Sequence, residues 1–184
     1  MKFFLYNFIL ILLLPLIISR LIIRSLKDKD YIKNISNRFG IYENETESNP
    51  VWFHAVSLGE VISSETLIKK ILIDNKVVLS VSTPTGYRQA KKIFGNSLQI
   101  VYAPWDIYFF VNNFLKKFNP KALIIFETEI WPSMIKASSA KKIPIFLTNA
   151  RLSQESNSKY SNIKFFLKEV VLSLIHISEP TRHR

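Results

Sequence analysis

The sequence predicts an α/β fold: a parallel sheet covered on both faces by helices and preceded by one transmembrane helix. Three observations point to it. Short apolar runs alternate with helical patterns from Val51 onward, the residues with unusual chemistry all follow those runs, and the first two dozen residues are almost uniformly apolar. A chain of 184 residues is the usual size for one domain with an appendage.

The first element is the apolar one. No residue from Phe3 to Ser19 is charged, and as a helix this run spans roughly 25 Å at about 1.5 Å per residue, slightly short of a bilayer core. Lys2 and Arg20 can extend their stems to the interfaces, and Leu21, Ile22 and Ile23 continue the apolar stretch. A cleaved signal peptide is the competing reading. Against it, the run is long, Pro15 interrupts it, and no small-x-small site precedes Arg20. Arg20, Arg24, Lys27, Lys29 and Lys33 follow the segment while only Lys2 and the amino terminus precede it, so the positive-inside rule places the remainder in the cytoplasm. The absence of cysteine agrees with that compartment. Residues 1–24 therefore read as a membrane anchor. Residues 25–50, polar and charged around Tyr42 to Pro50, read as a connector with a short helix ending near Gly40.

After Pro50 the alternation is regular. Apolar runs at Val51–Val56, Val77–Val81, Leu98–Tyr102, Ala122–Phe126 and Ile143–Leu147 read as strands, each bounded by turn residues. Helical patterns run from Glu60 to Asp74, Gly86 to Phe94, Ile107 to Phe118 and Trp131 to Ala140, with Asn75, Gly95, Pro120 and Pro144 as stops or restarts. Strands that short and continuously apolar belong to a sheet buried on both faces. The predicted domain covers residues 51–171. Leu172 to Arg182 reads LSLIHISEPTR, which resembles the translation of a transposase adaptor used in sequencing libraries, so residues 172–184 are read as non-native. His176 and His183 then carry no functional weight. His54, the histidine that remains, reads as a hydrogen-bonded turn residue rather than a ligand, and no metal-binding cluster is visible.

The formal net charge of +11 suits nucleic acid, an anionic membrane surface or a phosphorylated substrate. Lys69-Lys70, Lys91-Lys92 and Lys116-Lys117 sit near predicted helix ends, where cations offset the helix dipole, and no basic stripe argues for nucleic acid.

In a parallel sheet the carboxyl ends of the strands share one edge, and five distinctive segments fall there. HAVSLGE (His54–Glu60) carries a carboxylate where strand gives way to helix. Ser57 and Glu60 also fit a capping box, and Gly59 reads as the residue that permits a tight bend. STPTG (Ser82–Gly86), with Thr85 and Gly86, offers hydroxyls at a helix amino terminus suited to an anion, without the lysine spacing of a P-loop. In APWD, Asp106 reads as a cap for the helix starting at Ile107. ETEIWP places Glu127 and Glu129 at a strand end, either as site carboxylates or as favourable charge at a helix start. TNARLS contributes Arg151, which could bind a phosphate or carboxylate, or pair with Glu127 or Glu129.

HAVSLGE, TPTG, a P-x-D turn, ETEIWP and NARLS with a following SxxY-like element (Ser156–Tyr160), behind an anchor and an RFG segment (Arg38–Gly40), together resemble the 3-deoxy-D-manno-octulosonic acid (Kdo) transferase family, amino-terminal half. The resemblance implies the Rossmann-like first domain of a two-domain, GT-B type glycosyltransferase on the cytoplasmic side of the Gram-negative inner membrane. It implies Kdo transfer from CMP-Kdo to the lipid A precursor, with no cofactor beyond the donor. Acceptor contacts would lie in this half and most CMP contacts in a second, donor-binding domain, so that this chain alone would be inactive. By the same resemblance Glu60 is the base that takes the proton of the attacking sugar hydroxyl, Ser57 and Gly59 shape its turn, Glu127 or Glu129 positions the acceptor, and Arg151 faces an anionic group. Glutamate with an ordinary pKa of about 4.3 is a weak base that desolvation in a closed cleft would help. Two departures from the family pattern touch local packing or acceptor fit: Ser133 stands where asparagine is expected after WP, and Trp105 where tyrosine is expected in the P-x-D turn. A different membrane-bound sugar-nucleotide glycosyltransferase and a non-catalytic module binding anionic lipid are the alternatives.

Overall fold

The computed structural model describes residues 2–43, 49–127, 131–149 and 176–177. Helix α1 (Lys2–Ser25) is followed by two 3-10 turns at Lys29–Tyr31 and Ile35–Phe39. The alternating part comprises β1 (Val51–His54), α2 (Leu58–Ile71), β2 (Val77–Val81), α3 (Pro84–Phe94), β3 (Gln99–Tyr102), α4 (Tyr108–Phe118), β4 (Ala122–Phe126), α5 (Pro132–Ala140), β5 (Ile145–Thr148) and β6 (His176–Ile177). All strand pairs are parallel and the order is β3-β2-β1-β4-β5-β6. The chain leaves β1 in one direction to build β2 and β3, then returns to build β4 and β5 on its other side, the doubly wound Rossmann arrangement. Its switch point lies between β1 and β4, where His54 is in register with Ile125.

The pleat of β1 divides the core. Val51 and Phe53 pack with Val61, Ile68, Leu79 and Phe94 under α2 and α3. Trp52 points to the opposite side, where Phe114, Phe118 and Met134 form the layer under α4 and α5, and its ring stacks on Phe114 at a centroid distance of 4.1 Å. Burial on both sides explains why the strands read as unbroken apolar runs. Strand β5 begins later than its apolar pattern, at Ile145, because the Ile143 amide turns back to Ser138 O and closes α5.

Within residues 25–50, read from the sequence as a connector, Asn37, Arg38, Gly40 and Tyr42 are buried against the domain. β3 is the outermost long strand, and its exposed backbone is covered by side chains from this stretch: Tyr102 N–H donates to Asn37 Oδ1 (3.3 Å) and Tyr102 O accepts from Tyr42 Oη (3.0 Å). A capped edge is closed to pairing with other strands. Gly40 ends the second 3-10 turn in the left-handed region (φ +74°), and a Cβ there would lie 2.3 Å from Phe110 O and 2.9 Å from Asn113 Cβ.

Gly40→Ala is therefore expected to destabilise the protein by about 2–4 kcal/mol in urea unfolding, well beyond the roughly 1 kcal/mol of left-handed strain alone. A loss of about 1 kcal/mol or less would mean that α4 is not held against this turn.

Candidate functional site

The site edge is organised by the backbone of one residue. Val56, between β1 and α2, donates its N–H to Glu60 Oε2 (2.7 Å), and its carbonyl accepts from Ser82 N (3.1 Å) and Thr83 Oγ1 (3.5 Å). HAVSLGE and STPTG are thereby laced together. Ser57 caps α2, accepting from Glu60 N at 3.3 Å, and Thr83 caps α3, accepting from Gly86 N at 3.1 Å. The expected capping box is present in a shifted form: the Glu60 carboxylate reaches the amide one residue before the cap. Glu60 is 6% exposed and lies in the first turn of α2, just after β1 at the switch point.

The two glycines differ in cause. Gly86 is buried, and a Cβ there would meet Thr83 Oγ1 at 3.0 Å and the Ser57 carbonyl carbon at 3.3 Å, so it lets the first turns of α2 and α3 approach. Gly59 lies exposed in the first turn of α2, outside the positive-φ region, and a Cβ there would have only Ser57 Oγ within 4 Å, at 3.9 Å. Backbone geometry does not call for glycine there, contrary to the expectation of a tight bend. Thr85 is exposed, its hydroxyl 3.3 Å from Thr83 Oγ1.

Glu127 follows β4 directly, across the switch point from the Glu60 turn. It adopts a left-handed conformation (φ +64°) with its N–H on Thr148 O (2.8 Å). A non-glycine residue held in that region is strained, a feature common at functional turns. Glu129, Arg151 and the Ser156–Tyr160 element lie outside the described residues.

Asp106 differs from its expected role. Ile107 is the cap residue of α4, while Asp106 caps α5 from another loop, accepting from Ser133 N (3.0 Å, Oδ2) and Met134 N (2.8 Å, Oδ1). Oδ2 also accepts the Tyr6 hydroxyl at 2.7 Å, and burial pushes the carboxyl up to about 6 against these hydrogen bonds. The unusual serine after WP thus serves through its backbone amide, and its hydroxyl donates to Asn7 Oδ1 at 3.4 Å.

Arg38, from the RFG segment, is a residue that the sequence reading does not place in the site. It is 5% exposed, donates through Nη2 to Ser82 O (2.8 Å), lies over the Tyr102 ring and accepts Trp105 N on its own carbonyl (2.9 Å). It ties the STPTG turn to the APWD turn. A charged residue two positions before a left-handed glycine is the available signal.

Beneath the edge runs a buried polar chain. Trp52 Nε1 donates to Ser80 Oγ (2.7 Å), which lies 2.8 Å from His54 Nδ1, and the Trp131 ring stands edge-on to His54 at 4.9 Å. Burial pulls His54 down to about 3, so it is a neutral support for the Glu60 turn. Among the described residues no group of three or more His, Cys, Asp or Glu side chains converges to hold a metal.

The sequence model of the 3-Deoxy-D-manno-octulosonic-acid transferase (kdotransferase) family matches residues 33–183. The 3-deoxy-D-manno-octulosonic acid transferase of Haemophilus influenzae is 34% identical over 170 residues, covering 90% of this chain and 40% of that protein. The Bordetella pertussis protein of the same name is 30% identical over 138 residues, 72% of this chain and 32% of its own length. Among solved structures, MurG of Acinetobacter baumannii matches 65% of this chain and 39% of its own with a TM-score of 0.43 and 14% identity. The chain spans less than half the length of the two relatives.

His54 also sets a pH dependence. Its pKa is lower in the folded state than in the unfolded one, so its contribution to stability is complete above about pH 6.5 and is lost as pH falls toward 3, by about 1.4 kcal/mol per unit. His54→Gln is expected to flatten the fall in unfolding free energy between about pH 6.5 and 5 relative to the parent; an unchanged slope would mean that folded His54 takes up its proton freely.

Proposed function

The chain belongs to the 3-deoxy-D-manno-octulosonic-acid transferase family, and from that premise we propose that it forms the acceptor-binding part of an enzyme transferring Kdo from CMP-Kdo to the lipid A precursor in lipopolysaccharide biosynthesis. The observation that carries this reading is the Glu60 carboxylate, fixed at the switch point by Val56 N–H beside the exposed, side-chain-free Gly59. A sugar primary hydroxyl attacks the anomeric carbon of Kdo and passes its proton to Glu60. The new C–O bond forms as the bond to the CMP phosphate breaks, and CMP leaves with the electron pair as a phosphate anion. Ser57 and the amino-terminal amides of α2 orient the acceptor, and the STPTG turn with Thr85, the carboxylates Glu127 and Glu129, and Arg151 complete its contacts. CMP-Kdo contacts fall to a second, donor-binding domain of the enzyme.

Membrane attachment belongs to α1. Phe3–Ser25 is long and apolar enough to cross a bilayer by length and composition. A single crossing with the domain on the cytoplasmic side of the inner membrane agrees with the basic residues after Ser19. One observation favours a second arrangement, embedded along the cytoplasmic face: Tyr6 and Asn7 hydrogen-bond to Asp106 and to Tyr108 N (2.7 Å each), contacts that a first turn on the far side would break. The chain has no cysteine, so Lys2→Cys separates the two cleanly. Labelling by an impermeant maleimide from the periplasm supports crossing; labelling only from inverted vesicles supports the embedded helix.

In the full-length protein Glu60→Gln is expected to cost about 10²–10⁴ in kcat with little change in melting temperature, because the amide oxygen still accepts from Val56. Gly59→Ala is expected to hold or raise stability, by up to about 1 kcal/mol, while raising KM for the acceptor. Full turnover by Glu60→Gln would remove the base assignment, whereas no turnover by the parent protein would favour a non-catalytic module.

A further inference from the structure

An apolar groove of about 280 Å³ runs between α1 and the site edge. One wall is a single stripe of α1, Leu10, Leu14 and Ile17; the other is Trp105, Ile107 and Trp131 from the loops that follow β3 and β4. Its polar end is closed, since Tyr6 and Asp106 bind one another there. A groove with its polar groups already satisfied selects an alkyl chain and gives nothing to a head group.

We propose that this groove receives an acyl chain of the acceptor lipid, which rests on the transferase reading above and on α1 lying against the domain. Two observations name the occupant. The face of α1 turned away from the groove is apolar and exposed, with Phe4 at 76%, Leu12 at 70% and Leu16 at 66%, so the helix that forms the wall is itself the part of the protein that meets lipid. At the other end, Trp131 contacts His54, the first residue of the Glu60 turn. The groove thus runs from the lipid-facing helix to Trp131, whose ring packs on His54 at the start of the motif that ends in Glu60. A lipid with its sugar at Glu60 sends a chain along Trp131 toward Leu14, whereas a free phospholipid has no contact at the Glu60 end to hold it there. The departure from the family pattern at Trp105 falls in this wall, and its ring, set edge-on to Phe39 at 5.0 Å, sets the width of the groove.

The test uses the full-length protein in detergent or bilayer discs with two acceptors: the tetra-acylated disaccharide bisphosphate and the same sugar with four-carbon chains. Leu14→Trp fills the groove. It is expected to raise KM for the long-chain acceptor about tenfold, the scale of one or two methylenes left unburied, with kcat and the short-chain KM unchanged. Leu12→Trp, on the lipid face, is expected to change neither. An equal change on both acceptors, or none, overturns the proposal. A second measurement is independent of turnover. In the parent protein, the long-chain acceptor carrying brominated chains is expected to quench Trp105 and Trp131 but not Trp52, which is buried in the core. Equal quenching by brominated phosphatidylglycerol vesicles, or none by the acceptor, overturns the assignment. Absence of Kdo transfer to either acceptor, with the quenching intact, would sink the transferase reading and leave the groove standing.

Discussion

The backbone N–H and carbonyl of Val56 are both claimed, by Glu60 and by the turn after β2, and the geometry of the site edge follows from that. A parallel sheet buried on both faces leaves polar groups little room except at its strand ends, where the helices begin with unpaired amides. Here one such end solves three problems together. Its N–H fixes the Glu60 carboxylate, and its carbonyl fixes the turn after β2. Because those two turns share an anchor, α2 and α3 start side by side, which is possible only with Gly86 between them. A larger residue at position 86 would part the helices and, through Val56, swing the carboxylate.

Under this junction the Ser80 hydroxyl acts as a hub. It accepts from Trp52 Nε1, a donor without alternatives, and is left with one proton and one lone pair for the His54 ring. The assignment that uses the hydroxyl fully has Ser80 donating to Nδ1, which places the ring proton on Nε2. That nitrogen has no hydrogen-bond partner among the described residues. Full burial and a neutral ring are consistent with one another: a charged imidazolium would need an anion that this layer lacks among the described residues. The histidine in HAVSLGE therefore links the aromatic core to the turn, and the proposed base, Glu60, lies at the other end of the motif.

How much of this is readable in the sequence depends on the range of each contact. The strands and helices announce themselves because parallel strands buried twice are uninterrupted apolar runs, whereas their order across the sheet, and with it the switch point, is set by pairing that the sequence does not display. Local caps are equally readable: Ser57 and Thr83 bond amides three residues ahead. Asp106 misleads for the opposite reason. The amides it caps are 27 and 28 residues away, and its tyrosine partner is 100 residues away, so its neighbour Ile107 offers a nearer but wrong helix. The stretch before Pro50 reads as a connector because its polar composition hides what Asn37 and Tyr42 do, which is to satisfy the backbone of an edge strand. Arg38 belongs with them, since a buried guanidinium bonded to the carbonyl of Ser82 leaves no periodic trace. Gly59 stands out in the sequence for a reason the structure does not support: its backbone is ordinary, and what distinguishes it is the open space where a side chain would be.

Capping and catalysis compete as explanations of Glu60 only if they require different geometries. They require the same one. A carboxylate that reaches back over the first turn of α2 to Val56 has surrendered its rotamer freedom to the fold, and it has done so at the switch point with an exposed, side-chain-free position beside it. A weak base gains most from being fixed where the reacting hydroxyl must arrive, because orientation removes entropy from the barrier without asking the group to bind protons more strongly. The hydrogen bond that makes Glu60 look structural is, on this view, what equips it to react.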